Sequence, residues 1–437
     1  MNTPQASSAS YYAAAYQRLS PLLPGGGLGW LTQARRAALA RFARHGFPTQ
    51  RDEDWKYTSL AAIAAARYDL WPAACVDPLA GVVSQRALAG AHLLVFVNGR
   101  LHPGLSRPGD LPPGVRLNSL AYCLEEQPAS VDPLLLLGAA AAAFADLNLA
   151  FMADGAYLHL AADCHLAAPI QLLFIASQAN LAIQQRNVLW AAAGSSACII
   201  EQHVALGEGS YLTNALSNVV LEAGASIEHY LLQQESPAAS HIATIDVRQQ
   251  ANSSYSSASF AFGAHLARTG ITVALQGEAA RCSLDGLYLT AGRQHVDHHT
   301  CIDHRQAGGT SRQLYKGVLS GASRAVFNGR VVVHPDAQRS DAEQSNRNLL
   351  LSDKAEIDTK PQLEIWADDV KCSHAATVAQ LDEEQVFYLR SRGIEQAKAR
   401  TMLSRAFARE MIDRVACSPL QEALDEALRE KLRVMSC

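Results

Sequence analysis

From Tyr157 to Asp369 the apolar positions come in short β-branched and aromatic runs broken by glycine, with no helical interruption. In AAGSSACIIEQHVALGEGSYLTNALSNVVLEAGASIEHYLLQ, Gly194, Gly209 and Gly224 fall fifteen residues apart, each followed by a small residue and then a strand-like run. The same grammar continues less regularly through FAFGAHLARTGITVALQGEAARCSLDGLYLT and GVLSGASRAVFNGRVVVHP. Recurrent glycines mark corners, and short runs with alternating faces mark strands. Stacking such units lets each rung cover the apolar face of the next. The pattern predicts a mainly β fold, a β-solenoid, with a β-sandwich as the competing arrangement because its short strands carry similar turn signals. The length of the uninterrupted run favours the solenoid.

The flanks switch to helical periodicity. In WLTQARRAALARFARHG, Leu31, Ala34, Ala38, Leu39 and Phe42 form one stripe, Arg35, Arg36, Arg41 and Arg44 fall mostly outside it, and Gly46 supplies a stop. The arginines read as a solvated face. The next segment, GFPTQRDEDWKYTSL, combines loop chemistry with the aromatic pair Trp55 and Tyr57, and its composition carries no functional signature. Beyond Leu381, Asp382 and Gln385 resemble a capping box, and Gly393 is placed to end that helix. A second helix carries Ala399, Met402, Leu403, Ala406 and Phe407 on one stripe. A third is capped by Ser418, with Pro419 in its first turn and Leu420, Leu424, Leu428 and Leu432 facing inward. The predicted organisation is an N-terminal helical and mixed domain over 1–150, a solenoid core over 151–381 and a C-terminal helical domain over 382–437.

A chain of 437 residues, 49% hydrophobic and 18% charged, has enough apolar surface for a large core. Its formal net charge of -4 supplies none of the clustered basic charge that nucleic acid binding needs, so nucleic acid is not an expected partner. The start, MNTPQASSAS, lacks the basic and apolar regions of a secretory signal. The longest apolar stretch, LLLLGAAAAAFA at 134–145, is twelve residues long, short of the roughly 20 that cross a bilayer. A soluble cytoplasmic protein with no membrane association is expected. The nine cysteines are scattered and never form Cys-x-x-Cys, which suits a reducing compartment.

Two clusters carry candidate chemistry. HVDHHTCIDH holds His295, Asp297, His298, His299, Cys301, Asp303 and His304, residue types that a metal-dependent hydrolase would use. Strand alternation splits this group, placing Asp297, His299, Cys301 and Asp303 on one face and His298, Thr300 and His304 on the other, which favours a polar ladder over a metal centre. In VKCSH, Cys372 and His374 lie two positions apart and would present sulfur and imidazole on the same side of a strand. By spacing alone they fit core filler as well as shared ligands. GGGLG at 25–29 lacks the lysine and hydroxyl of a P-loop, and Gly-x-Ser-x-Gly does not occur, so neither nucleotide hydrolysis nor a serine-hydrolase elbow is indicated.

Several long stretches carry a family resemblance. YKGVLSGASRAVFNGRVVVHPDAQRSDAEQSNRNLLLSDKAEIDTKPQLEIWADDVKCSHAATV, followed by DEEQVFYLRSRGI, resembles the SufB/SufD family of iron-sulfur cluster assembly scaffolds. RDEDWKYTSL near the start matches its SufD branch, as does KCSH at 371–374, and Leu389 stands where SufB-like chains usually carry cysteine. Ala375 departs from the family pattern, which commonly has glycine after the histidine. The resemblance implies a right-handed parallel β-helix with helical flanks and a non-enzymatic scaffold role. It further implies a SufB-like paralogue and a SufC-like ATPase as partners, while the open strand edges of a solenoid end predict a homodimer when the chain is alone. Cys372 and His374 are the positions it carries over as metal ligands, for iron or a nascent iron-sulfur cluster held transiently and shared with the partner. The competing readings are a metal-dependent hydrolase built on 295–304 and a β-helix enzyme acting on carbohydrate.

Overall fold

The computed structural model describes residues 4–72, 79–136 and 142–435; Cys75, Cys437 and residues 137–141 of the apolar stretch lie outside them. Among the described residues, strands form one sheet of ten and a second of nine. From Ala156–Leu160 onward, consecutive strands go to opposite sheets. Ser196–Ala205 and Ser226–Gln234 pair in the first, and Leu212–Leu221 and Ser240–Gln249 pair in the second, always parallel and in register. Antiparallel pairing is confined to the start of the stack, where Arg100–Leu101 meets His92–Val97 and Val115–Ser119 meets Ala156–Leu160. This is the expected mainly β solenoid with helical flanks.

In-register parallel stacking keeps each column of side chains on one face through successive rungs. The inward columns form one core running along the axis, including Leu172, Ile199, Ile227, Tyr255, Leu284 and Phe327. The corners stack as well. Gly194 and Gly224, thirty residues apart, both take left-handed backbone with φ of 70° and 71°. Each donates its N–H to the corner of the next rung, to Ala223 O and Ala251 O, both at 2.9 Å. The column continues through Asn252, Ala279, Gly308 and Arg339, all at positive φ. Gly209 stands at a different corner, packed against Ala179. The fifteen-residue spacing is thus half of the structural repeat, one strand from each sheet.

The helical flanks cover opposite sheets. On the second, Phe144, Leu147 and Phe151 of the helix Ala143–Phe151 pack with Tyr12, Phe42, Leu212, Ile242 and Leu266. On the first, the helices Gln396–Ile412 and Ser418–Met435 bury Ile200, Leu232, Phe260, Leu287 and Leu289. Lys316 reaches out to Glu410 and the Phe407 carbonyl, and Asp285 holds Arg414 at 2.7 Å.

Three helical details depart from the periodicity. Arg35 of the helix Gly29–His45 is not solvated; it is buried, and its guanidinium donates to Pro24 O at 2.9 Å and Met152 O at 3.3 Å. In Gln396–Ile412 the buried line is Ala399, Ser404, Ala408, Met411 and Ile412, while Met402 is 43% exposed. The last helix begins at Ser418, so the residue before it is Cys417, and the leucine stripe 420, 424, 428 and 432 is buried as expected. Among the described residues no helix is long and apolar enough to cross a membrane.

Candidate functional site

The cluster at 295–304 occupies the strand His295–His304, flanked on both sides by other rungs. Its alternation is as the pattern requires. On the outer face the Thr58 hydroxyl donates to Asp297 Oδ2 at 2.5 Å, and the Thr58 oxygen lies 2.9 Å from His295 Nε2. Asp297 also pairs with Arg268, whose guanidinium lies 3.9 Å from the Trp55 ring centroid, and with His299 at 3.1 Å. Burial alone would raise the Asp297 carboxyl; Arg268, His299 and Thr58 together hold it below the usual carboxylate range. Asp303 binds Arg305 and His334, both at 2.7 Å, and Cys301 accepts from Arg330 at 3.6 Å.

The inner face belongs to the core. His298 lies between the rings of Tyr288 and Tyr315, with centroids 5.4 and 5.2 Å away, and burial pushes its imidazole down to about 4. Thr300 donates to Gln313 at 2.6 Å, and His304 Nε2 meets Ser311 at 2.9 Å. Among the described residues no group of three or more His, Cys, Asp and Glu converges as a metal would require. The cluster fastens the N-terminal segment 53–58 to the solenoid wall. The structure does not favour a hydrolase centre there.

Cys372 and His374 lie at the other extreme, on the strand Lys371–Gln380, which terminates the ten-stranded sheet. Among the described residues that strand pairs with Asp341–Leu350 alone, placing Cys372 over Ala342 and His374 over Gln344. Ala342, Gln344, Asn346 and Asn348 are buried, so the register continues their inward columns through Cys372, His374, Ala376 and Val378. His374, Ala376 and Val378 are exposed because, among the described residues, no rung stacks above them. Cys372 is half-buried against Val331, Val333 and Ala342, and burial raises its thiol despite a backbone hydrogen bond from Ala342. His374 is exposed.

The second sheet ends level with it in the strand Glu356–Ile365. Ile365, Trp366 and Val378 leave 41%, 67% and 49% of their surface exposed around this open end. Beneath His374, the Gln344 amide is buried with neither atom hydrogen-bonded. Its neighbours Asn346 and Asn348 bond each other and Tyr288, and donate to the Tyr315 and Thr377 carbonyls. A Cβ on Gly329 would fall 1.8 Å from Gln344 Nε2, so that glycine makes the space the amide occupies. Gln344 was not singled out by the sequence. The alternating Gln-x-Asn-x-Asn of 344–348 is the signal that could have found it.

Family and relative comparisons bear on this arrangement. Residues 174–407 match the model of the SUF system FeS cluster assembly SufBD core domain, and 6–172 match the SufBD protein N-terminal region. The chain is 34% identical over 411 residues to an iron-sulfur cluster assembly SufBD family protein of Synechocystis, covering 91% of this chain and 90% of that one. It is 33% identical over 406 residues to the iron-sulfur cluster assembly protein SufD of Escherichia coli, covering 90% and 89%. With the chloroplastic protein ABCI7 of Arabidopsis thaliana it shares 29% over 390 residues, covering 87% and 81%.

Proposed function

The chain belongs to the SufBD family of the SUF iron-sulfur cluster assembly system, and from that premise we propose that it is a SufD-like scaffold whose open solenoid end forms half of a cluster assembly site. The observation that carries this reading is the placement of Cys372 and His374 on the inward columns of an uncapped rung. A SufB-like subunit stacked on that rung would bring its own ligands to face them. Thiolate and imidazole are both good ligands for iron, and two residues alone fall short of the ~4 ligands of a closed site, so the remainder comes from the partner, sulfide or solvent. The iron and the nascent cluster are cargo, held transiently, and the chain itself is not an enzyme.

The same edge supports the partner expectation. An end rung presents unpaired backbone N–H and C=O groups, which natural proteins cover or pair. The exposed Trp366, Ile365 and Val378 add apolar surface. A second copy would occupy this end when the chain is expressed alone, and the SufB-like partner would displace it in the cytoplasm. For a SufC-like ATPase, the helix Glu383–Ser391 offers Phe387 and Tyr388, 71% and 57% exposed. Because the following helices bury one wall of the solenoid, deleting them would expose core; Phe387→Asp is the cleaner test of that contact.

The deciding experiment is co-purification with the native partners, followed by anaerobic iron and sulfide analysis of parent and His374→Ala complexes. Cluster lost from an intact complex supports the reading. Normal cluster yield in the variant refutes it.

A further inference from the structure

Where the last helix leaves the solenoid wall, two cysteines from distant parts of the chain meet. Cys198 lies on the strand Ser196–Ala205, half-buried on its outer face, in register beside Glu228. Cys417, also half-buried, immediately precedes the helix Ser418–Met435. The approach is fixed by the Ala416 N–H, which donates to the Tyr230 hydroxyl at 3.1 Å, while that hydroxyl donates to Glu228 Oε2 at 3.0 Å. Both cysteines pack on the apolar cluster joining wall and helices, and the two thiols lie within reach of each other.

We propose that Cys198 and Cys417 are a peroxide-sensitive thiol pair that closes into a disulfide, locking the C-terminal helices to the solenoid wall. The two roles are unequal. The Cys198 thiol and the Leu420 N–H at the start of the helix both draw the Cys417 thiol down, against burial and the nearby Glu228 carboxylate. Cys198 is held protonated by that same contact and by burial. A thiolate at a helix N-terminus, partly open to solvent, is the form that attacks peroxide. The Cys417 thiolate attacks one oxygen of hydrogen peroxide, giving a sulfenic acid and hydroxide. The Cys198 thiol then loses its proton, and its sulfur attacks the sulfenyl sulfur, expelling hydroxide, which is protonated to water. In sum, two thiols and one peroxide become a disulfide and two waters. Val415–Cys417 lies outside any regular element, so the sulfurs can close to bonding distance without unwinding the helix.

This proposal does not depend on cluster assembly. The test treats the full-length protein with a small excess of hydrogen peroxide, blocks the remaining thiols, digests with trypsin and examines the peptides by mass spectrometry. The expected product is the peptide 187–248 linked to 415–429, lighter by two hydrogens and split by dithiothreitol. In Cys198→Ser the link is lost and Cys417 carries a dimedone-trappable sulfenic acid. In Cys417→Ser the modification of Cys198 falls at least tenfold. Linkage of either cysteine to another position, or equal peroxide reactivity of Cys198 in the absence of Cys417, would overturn the assignment. So would recovery of both as unmodified thiols while other cysteines are oxidised.

Discussion

Two strands of this molecule carry cysteine and histidine at alternating positions, and they have opposite fates. On His295–His304, closed in by rungs on either side, the polar groups are consumed by the protein: Asp297 by Arg268, Thr58 and His299, Asp303 by Arg305 and His334. On Lys371–Gln380, with a neighbour on one side alone, Cys372 and His374 continue inward columns that end in the open. Residue type is nearly the same in both. Position along the stack decides whether such a side chain is internal fastening or stands at the open end.

That contrast can be broken or sharpened by substitution, and the expected losses of stability fall in a clear order. Asp297→Ala strands Arg268 in a buried site and should cost roughly 3–5 kcal/mol, as removal of one partner of a buried pair does. Chemical denaturation would measure it. A loss below 1 kcal/mol would mean that the 295–304 cluster is not structural.

Acid should act next. His298 is buried and neutral with its imidazole pushed down to about 4, against 6.5 for the ordinary group. The unfolded chain therefore binds protons that the folded one refuses, and the stabilisation present above pH 6.5 is lost as pH falls toward 4. The shift corresponds to about 3 kcal/mol. Melting as a function of pH should show this slope in the parent and a shallower one in His298→Phe.

Thr58→Ala removes a hydroxyl donor to a buried carboxylate and should cost about 1–3 kcal/mol, with proteolysis near 53–58 accelerated. The smallest thermal effect belongs to the terminal rung. His374→Ala and Cys372→Ser should change folding stability by less than about 0.5 kcal/mol, the range of ordinary surface substitutions. They should nevertheless abolish cluster formation in the reconstituted complex. A lowered melting point with normal cluster yield would reverse the contrast.

Much of this architecture was legible in the sequence because solenoid stacking is a local grammar. Strand alternation placed Asp297 and His298 on opposite faces, and the leucine stripe of the last helix faces inward as its spacing demands. What periodicity could not supply was partnership at a distance. Arg35 read as one of four solvated arginines because the carbonyls that bury it, Pro24 and Met152, belong to other elements. The composition of the RDEDWKYTSL segment carried no role, and its family match said nothing of its contacts, until Thr58 and Trp55 met Asp297 and Arg268, more than two hundred positions later. The spacing of Cys372 and His374 likewise gave their shared side of the strand but not that nothing stacks above it.

The column of left-handed corners through Gly194 and Gly224 has an engineering corollary. Because every corner donates its N–H to the rung above, the wall behaves as a ratchet whose teeth are whole rungs. Excising or duplicating a full repeat would keep every remaining column on its own face. Shifting the frame by one residue would instead turn an entire column inside out. Height is nevertheless tied to the flanks, because their helices grip several successive rungs at once, Leu212, Ile242 and Leu266 on one wall and Ile200, Leu232 and Phe260 on the other.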